Sequence, residues 1–231
     1  MKIMLLRHGK TLGNEKKRYI GRTDEALSQK GKLELLDTRG KLESILGKEV
    51  QNQWRNQNSF FKIYMVVSPM LRCRETAKEV FLGFLPKEEQ KVFIPFGIKE
   101  AEVNIEIKIV IEEELKECDF GIFENKNYLE LSKKPQYQQW IDSNGTMDFP
   151  GGESLSHFKE RSVTSFQKHI KTAWENQADM VLFVVHGGNI MAILEAMDSR
   201  QLGYYDYSVK NGAFVFRAIK RKISWMSCGI V

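Results

Sequence analysis

Short, largely apolar runs along the chain predict buried strands, because each run is too short for a typical helix and ends at turn residues. Three of these runs cover residues 3–6, 61–67 and 180–185. The first run leads into Arg7 and His8, and the last leads into His186. In open α/β sheets, ligands bind in the crevice outside the carboxyl ends of the strands. We therefore expect the two histidines to meet at one edge of a sheet.

Segments with helical periodicity alternate with these strands, and this alternation favours a layered α/β fold. Ser28 can cap a first helix that runs to about Leu46. Its predicted apolar face consists of Leu33, Leu36, Leu42 and Ile45. Pro69 fits the first turn of a second helix, which would carry Arg72 at its start. A third helix follows 150–152, and its predicted apolar face consists of Leu155, Phe158, Val163, Phe166 and Ile170.

The other segments predict loops and sheet edges. Residues 51–59 are polar and predict a loop. Residues 92–96 and the alternating residues 105–109 predict an extra hairpin or an extended edge strand around 90–111. Residues 213–216 and 219–226 predict edge strands around a polar turn. Because nothing in the composition marks a linker, we expect one domain over 1–231.

Composition excludes several classes of protein. With 42% hydrophobic and 28% charged residues among 231, the chain can build a sizeable core and is not disordered. The net charge of +5 is compatible with anionic ligands, but the basic residues are scattered, which disfavours a nucleic-acid partner. The cysteines Cys73, Cys118 and Cys228 lack paired metal-type spacing and predict reduced thiols. No apolar stretch is long enough for a bilayer, so we expect a cytoplasmic protein without a membrane partner.

The residues at the predicted strand ends suit phosphoryl transfer. That chemistry needs a nucleophile, cationic groups around the phosphate oxygens and an acid for the leaving oxygen. His8 is the candidate nucleophile, and Arg7 and Arg72 can each bind phosphate oxygens in a fork. His186 can donate a further hydrogen bond, and Asn14 can orient the phosphate from the first loop.

Structural roles compete with these functional ones. A lone histidine at a strand end is more often structural, but two His-Gly endings together with two arginines favour a site. Asn14 alone is equally a turn residue, and Arg18 and Arg22 are equally part of a solvated basic loop. The four tryptophans show no stacking pattern, so we expect ordinary packing for them.

Several blocks of the sequence together resemble the histidine phosphatase superfamily, also called phosphoglycerate mutase-like. They occur in the family's order and span essentially the whole chain. The blocks are Leu6-Arg7-His8-Gly9-Lys10-Thr11 with Asn14, Arg18-Tyr-Ile-Gly21-Arg-Thr-Asp24, Ser68-Pro-Met-Leu-Arg72 with Thr76-Ala77, Leu115-Lys-Glu117-Cys-Asp-Phe-Gly121, Pro150-Gly-Gly-Glu-Ser154 and Val185-His186-Gly-Gly188.

The resemblance implies a three-layer α/β/α fold around a mostly parallel mixed sheet. It implies a small phosphorylated substrate and a covalent phosphohistidine on His8, with no metal and no cofactor. The implied phosphate pocket consists of Arg7, Asn14, Arg72, His186 and the backbone of Gly187. The resemblance also implies that Glu117 is the proton donor, whereas the residues alone leave Glu112, Glu113, Glu114 and Glu117 open.

Within the family, the segment 117–124 resembles the phosphatase form, and no long arginine-rich insertion like that of the mutases precedes Pro150. The first two blocks are most similar to α-ribazole phosphatases of cobalamin synthesis, which remove a 5′-phosphate from a nucleoside-like substrate. Possible substrate contacts are Lys10, Arg18, Gly21 and Arg22. A phosphoglycerate mutase and a non-catalytic phospho-ligand binding protein are the alternatives. Lys10 departs from the Glu or Gln of many members, and Asn125 replaces a common Gly.

Overall fold

The computed structural model describes residues 1–54, 60–98, 101–200 and 202–219, and these form six strands and seven α-helices. The strands are β1 (Lys2–Arg7), β2 (Phe60–Val67), β3 (Gln90–Ile98), β4 (Ala101–Ile111), β5 (Met180–Val185) and β6 (Phe214–Ala218). The helices are α1 (Leu12–Glu15), α2 (Gln29–Trp54), α3 (Leu71–Ala77), α4 (Tyr128–Leu131), α5 (Pro135–Asp142), α6 (Leu155–Glu175) and α7 (Gly187–Met197).

All six strands belong to one sheet in the order β3-β4-β2-β5-β1-β6. The four central strands are parallel, and the two edge strands β3 and β6 are antiparallel to their neighbours. Strand β5 lies between β1 and β2, so three strands with carboxyl ends on the same side adjoin one another. The predicted mostly parallel mixed sheet is confirmed.

Alternating side chains of the central strands build two separate core layers, because successive side chains point to opposite faces of a sheet. One face packs Leu6, Met65 and Val184 against α2 and α3. The other face packs Leu5, Val66 and Phe183 against α6 and α7. Helices therefore cover both faces, and the predicted three-layer α/β/α architecture is confirmed.

An aromatic cluster lies apart from these layers, under the segment 118–149. Its centre is Phe123, which is fully buried and makes edge-to-face contacts with Tyr137, Trp140 and Phe149. Trp140 stacks on Phe149 with ring centroids 5.3 Å apart, and it is nearly parallel to Tyr137. This cluster holds the segment against α6 and α7 and forms the wall of a cavity described below.

The first helix differs from its prediction in length and in its buried face. It continues to Trp54, so the predicted loop is wrong at 51–54, and 55–59 lie outside the described residues. Leu33 and Leu36 are each 60% exposed, whereas Leu35 and Leu46 are buried. The run 33–36 contains three leucines, so the helix could bury either of two apolar faces. Packing against the sheet selects the face that includes Leu35. Burial of Val50 extends the packed face beyond the predicted end.

Two smaller predictions also change. Helix α3 begins at Leu71, so Pro69 precedes the helix instead of occupying its first turn. The first amide of α3 donates to Asp24 Oδ1 at 2.7 Å, and this contact from a distant loop fixes where the helix starts. The predicted strand 213–216 corresponds to β6, while most of the predicted strand 219–226 lies outside the described residues.

Within the described ranges, no helix is both long enough and apolar enough to cross a membrane.

Replacing Phe183 by alanine tests the packing of the layer under α6. The ring is fully buried and lies 5.0 Å from the ring of Phe166. We expect Phe183→Ala to lower the free energy of unfolding by about 3–5 kcal/mol in urea denaturation, through lost burial and a cavity. Phe60→Ala, on a ring that is 43% exposed at the start of β2, is the matched control and should cost much less. Equal losses in the two variants would contradict this account of the core.

Candidate active site

The carboxyl ends of three adjacent strands bring the candidate residues together. The backbone amide of His8 donates to the carbonyl of Val185, and that of Ser68 donates to Val184. These bonds bring the residues that follow β1, β2 and β5 together at one sheet edge. The rings of His8 and His186 meet there edge to face, with centroids 5.2 Å apart. The expectation that two strands deliver histidines to one place is confirmed.

The imidazole of His8 is buried and has one defined proton position. Its Nδ1 lies 2.7 Å from the carbonyl oxygen of Gly9, which can only accept, so Nδ1 carries the hydrogen. Burial, reinforced by the positive charges of Arg72 and Arg7, holds the pKa of His8 well below its usual value. The ring is therefore neutral at physiological pH and keeps a lone pair on Nε2. A neutral imidazole with a free Nε2 is a competent nucleophile.

The guanidinium of Arg72 is fully buried beneath the loop that precedes α2. It donates to the carbonyls of Gly21 and Thr23 at 2.8 Å each. Its Nε donates to His186 Nδ1 at 3.2 Å. These bonds fix a positive charge beside both histidines, and they require the loop carbonyls to face inward.

His186 uses both ring nitrogens within the protein. Because Arg72 Nε can only donate, His186 Nδ1 accepts, and Nε2 faces the hydroxyl of Ser68 at 2.8 Å. Burial and the nearby charge of Arg72 lower the pKa of His186 well below its usual value, so it too is neutral. In this arrangement His186 orients Arg72, and its predicted hydrogen bond to phosphate stays a prediction.

Arg7 keeps unused donor capacity. Its Nη1 donates to the carbonyl of Val209 at 2.6 Å, while its buried Nε has no partner among the described residues. The guanidinium lies against the first turn of α7, where a side chain at Gly187 would come within 2.9 Å of Arg7 Cζ. Glycine at this position therefore lets the guanidinium approach the start of α7 closely.

Glu117 lies at the start of α7 opposite Arg7. Its carboxyl accepts from the amide of Cys118 at 3.0 Å and from the amide of Gly188 at 3.3 Å. Burial raises the pKa of Glu117, although these bonds and the charges of Arg72 and Arg7 partly offset the rise. The protonated form therefore persists to higher pH than in an exposed glutamate, as a general acid requires.

Asn14 lies in the short helix α1 and not in a loop as predicted, and Asn211 fixes the orientation of its side chain. Asn14 Oδ1 accepts from the amide of Thr11 and from Asn211 Nδ2, each at 3.2 Å. With its oxygen engaged twice, Asn14 is left with its Nδ2 hydrogens for a ligand. Asn211 Nδ2 also donates to the carbonyl of His8 at 3.3 Å. Asn211 thus joins the candidate nucleophile to a candidate phosphate ligand.

The four possible substrate contacts have different environments. Lys10 forms an ion pair with Glu34 at 2.9 Å on α2, and Arg18 donates to Asn125 and Glu130, so both side chains have structural partners. Arg22 is more exposed and pairs with Asp119 at 3.4 Å.

Gly21 is required for close packing, because a Cβ at this position would lie 1.9 Å from the carbonyl oxygen of Cys118. This approach lets the Gly21 carbonyl accept from Arg72.

Two cavities adjoin Glu117. The larger has a volume of about 590 Å³ and a strongly charged lining. Its charged residues besides Glu117 are Arg22, Asp24, Glu113, Glu114, Lys116, Asp119, Glu153 and Arg161. The smaller, of about 200 Å³, also reaches Arg7 and has mainly aromatic walls. The site thus has one acidic approach and one apolar recess.

Sequence reasoning missed Asn211 and the aromatic recess. Asn211-Gly212 is a recognisable turn, but only the pairing of β6 with β1 places it beside His8. The recess joins residues from β1, α5, α6, α7 and four connecting segments, and no local pattern links such distant positions. The prediction of ordinary packing is confirmed for Trp140, which is buried in the aromatic cluster, but the sequence did not predict that this residue also lines the recess.

Among the described residues, no group of three or more His, Cys, Asp or Glu side chains is arranged to hold a metal ion.

Comparison with known proteins agrees with this geometry. Residues 3–91 and 98–219 match the Histidine phosphatase superfamily (branch 1), and the chain belongs to this family. A 2,3-bisphosphoglycerate-dependent phosphoglycerate mutase from Pseudoalteromonas atlantica is 28% identical over 221 residues, covering 88% of each chain.

Two solved structures share the fold. The phosphoglycerate mutase from Thermus thermophilus has a TM-score of 0.56 and 26% identity, and the alignment covers 94% of this chain and 92% of that one. The α-ribazole phosphatase from Shigella flexneri has a TM-score of 0.65 and 20% identity, covering 96% and 92%. At 20% identity the second likeness shows the fold alone. Proteins similar to this chain in sequence or in fold are thus named as mutases and as phosphatases.

Asn211 provides a test of the site that does not depend on turnover. We expect Asn211→Ala to weaken binding of inorganic phosphate by about fivefold, the worth of one orienting hydrogen bond. Asn211→Asp should weaken it more, because a carboxylate cannot donate to Asn14 and turns the Asn14 oxygen toward the phosphate. Isothermal titration calorimetry measures both constants.

The same substitutions in an Asn14→Ala background show whether Asn211 acts through Asn14. The effect of Asn211→Ala should then nearly vanish. Asn176→Ala, at the end of α6, is a control that should leave phosphate binding unchanged. An equal loss in both backgrounds would mean that Asn211 does not act by orienting Asn14.

Proposed function

We propose that this protein is a phosphomonoester hydrolase that acts through a phosphohistidine on His8. His8 Nε2 attacks phosphorus, the bond from phosphorus to the ester oxygen breaks, and Glu117 gives its proton to the departing alcohol. Water then loses a proton to the Glu117 carboxylate and attacks the phosphohistidine. This second step releases inorganic phosphate and restores neutral His8.

One observation carries this proposal: a neutral nucleophile and a carboxyl with a raised pKa lie beside two fixed guanidinium groups. The Nδ1 hydrogen bond leaves His8 Nε2 free for attack. Arg7 and Arg72 supply positive charge for the phosphoryl oxygens without moving during the reaction.

The charges around Glu117 favour hydrolysis over mutase activity. A mutase that depends on a bisphosphorylated intermediate must hold a second phosphate and therefore needs further free cations. The larger cavity instead has five carboxyl side chains besides Glu117 and only three cations. Each of those cations is paired, Arg22 with Asp119, Lys116 with Glu113 and Arg161 with Glu153. The names of the curated relatives nevertheless keep the mutase as the second candidate.

For the substrate, we propose α-ribazole 5′-phosphate as the first compound to test. The support is the similarity of the first two sequence blocks to α-ribazole phosphatases, described above. A role in cobalamin synthesis and a cytoplasmic location follow from this proposal.

Phosphate release from a panel of compounds tests the reaction class. We expect inorganic phosphate from α-ribazole 5′-phosphate or another phosphomonoester, and no isomerised product from 3-phosphoglycerate. His8→Ala should lose activity by a factor of about 10³ or more, because it removes the covalent route. Rapid quenching should trap an acid-labile, base-stable phosphoryl group on the native protein.

Three other outcomes would overturn parts of the proposal. Full activity in His8→Ala would exclude the covalent mechanism. Isomerisation without phosphate release would favour the mutase, and tight binding of phosphomonoesters without turnover of any would favour a phospho-ligand binding protein.

The dependence of activity on pH and on the leaving group tests the role of Glu117. Only protonated Glu117 can donate, so kcat/KM for an alkyl phosphomonoester should fall as pH rises through its raised pKa. Glu117→Gln should lower this activity by about 10²–10⁴-fold and remove that fall. The pH profile of Glu117→Gln still contains the titration of the substrate's own phosphate. It therefore serves as the control that separates this titration from that of Glu117.

Phosphohistidine formation from p-nitrophenyl phosphate needs little protonation of the leaving group. We expect its rate to drop far less in Glu117→Gln than the rate for the alkyl ester does. Equal losses for both substrates would exclude Glu117 as the general acid.

A further inference from the structure

The smaller cavity has walls of an unusual kind for a site that handles phosphate. Its volume is about 200 Å³, and six aromatic residues line it: Tyr19, Phe120, Trp140, Phe149, Tyr204 and Tyr205. Among the described residues that line it, only Arg7 and Glu117 are charged, and both belong to the proposed reaction centre. The cavity is therefore continuous with the chemistry but otherwise uncharged.

The position of Glu117 links this cavity to one part of the substrate. If Glu117 protonates the departing alcohol, that oxygen lies beside its carboxyl, at the end of the cavity that Arg7 and Gly188 also line. The phosphoryl group belongs with Arg7 and His8, so the group attached to the alcohol oxygen extends away from them. Of the two cavities that Glu117 lines, only the aromatic one is also lined by Arg7, so it lies beside both groups that would hold the ester.

The polar atoms of the walls are largely engaged elsewhere. The Tyr204 hydroxyl donates to the carbonyl of Gly188 at 3.2 Å, and that of Tyr205 donates to Gly145 at 3.1 Å. The hydroxyls of Tyr19 and Tyr137 pair with each other at 3.2 Å. The tyrosines therefore offer ring surfaces to an occupant, and, with Arg7 assigned to the phosphoryl group, the rest of the wall cannot compensate a charged group for lost hydration.

Trp140 adds one polar feature to this apolar recess. Its indole is buried, and its Nε1 has no partner among the described residues. A buried donor without a partner is unfavourable, and an occupant with one acceptor atom could satisfy it. The aromatic walls themselves favour a flat ring, since aromatic pairs gain from stacked and edge-to-face contacts.

We propose that this cavity is the leaving-group pocket and that it selects phosphomonoesters whose alcohol carries one uncharged, planar aromatic ring. The proposal rests on the hydrolase function proposed above. A cavity of about 150 Å³ with apolar walls accommodates benzene, so the present volume suits one monocyclic or small fused ring. Phosphoglycerates and simple sugar phosphates, whose alcohols carry a carboxylate or several hydroxyls but no aromatic ring, are disfavoured.

Matched substrates test this selection. Benzyl phosphate and ethyl phosphate are both alkyl esters, and only the first carries a ring. We expect kcat/KM for benzyl phosphate to exceed that for ethyl phosphate by about tenfold or more, and to exceed that for 3-phosphoglycerate as well. Equal values for benzyl and ethyl phosphate would overturn the pocket assignment and leave the hydrolase proposal standing.

Substitutions connect the preference to the cavity. Trp140→Leu should reduce the benzyl-to-ethyl ratio of kcat/KM by about tenfold, because it removes a stacking wall. Trp174→Leu, on α6 outside the cavity, is the matched control and should leave the ratio unchanged. Circular dichroism and thermal unfolding check that each variant folds. Should Trp140→Leu not fold, Tyr205→Leu at the half-exposed rim provides the same test.

Binding of phosphonates, which cannot be hydrolysed, separates this inference from the reaction itself. We expect benzylphosphonate to bind more tightly than ethylphosphonate, and Trp140→Leu to remove the difference. If no ester is hydrolysed but this difference holds, the cavity still selects an aromatic ring and the hydrolase proposal fails. If the two phosphonates bind equally, the pocket assignment is wrong whatever the turnover.

Discussion

The hydrogen bond from His8 Nδ1 to the carbonyl of Gly9 is the contact on which the site depends, because it determines which ring nitrogen is free. Several elements hold that carbonyl in place. The Gly9 amide donates to the Thr76 hydroxyl at 3.0 Å, and that hydroxyl donates to the carbonyl of Arg72. The turn at Gly212 binds the carbonyl of His8 through its amide. Contacts from α3 and from the turn at Gly212 thus stabilise the one tautomer of the His8 imidazole that carries its hydrogen on Nδ1.

Burial gives this arrangement its electrostatic character. It lowers the pKa of His8 and raises that of Glu117, so it favours the neutral form of each group. The fixed charges that remain are those of Arg7 and Arg72. A phosphate dianion would balance those two charges, and the neutral nucleophile and acid would then stand on its two sides. Burial penalises charge in the aromatic recess as well, so an uncharged leaving group there avoids a desolvation cost.

The sequence predicts those parts of the fold and site that depend on local pattern. The strand runs that end at His8 and His186 are unambiguous, and parallel pairing then requires the two histidines to meet. The choice of buried face in α2 was not predictable, because the leucines of 33–36 fit two stripes and only packing against the sheet selects Leu35.

Local sequence pattern also could not predict which side chains contact each other when they lie far apart in the sequence. Lys10 is adjacent in sequence to the nucleophile's turn, yet its ammonium pairs with Glu34 on α2. Asn211 lies some 200 residues from His8 along the chain and contacts its carbonyl. The role of Glu117 as proton donor was predicted from the family resemblance alone, since it is one of four glutamates in 112–117 with the same local character. Only its contact with the start of α7 distinguishes it from the other three. The proposed mechanism itself depends most on the protonation state of the buried His8 imidazole.

Nitrogen-15 NMR of histidine-labelled protein measures that state directly, with His8→Asn used to assign the resonances. At pH 7 we expect His8 to show a protonated Nδ1 and an unprotonated Nε2. An imidazolium, or a neutral ring with its hydrogen on Nε2, would contradict the account, because neither form leaves a lone pair on Nε2 for attack on phosphorus.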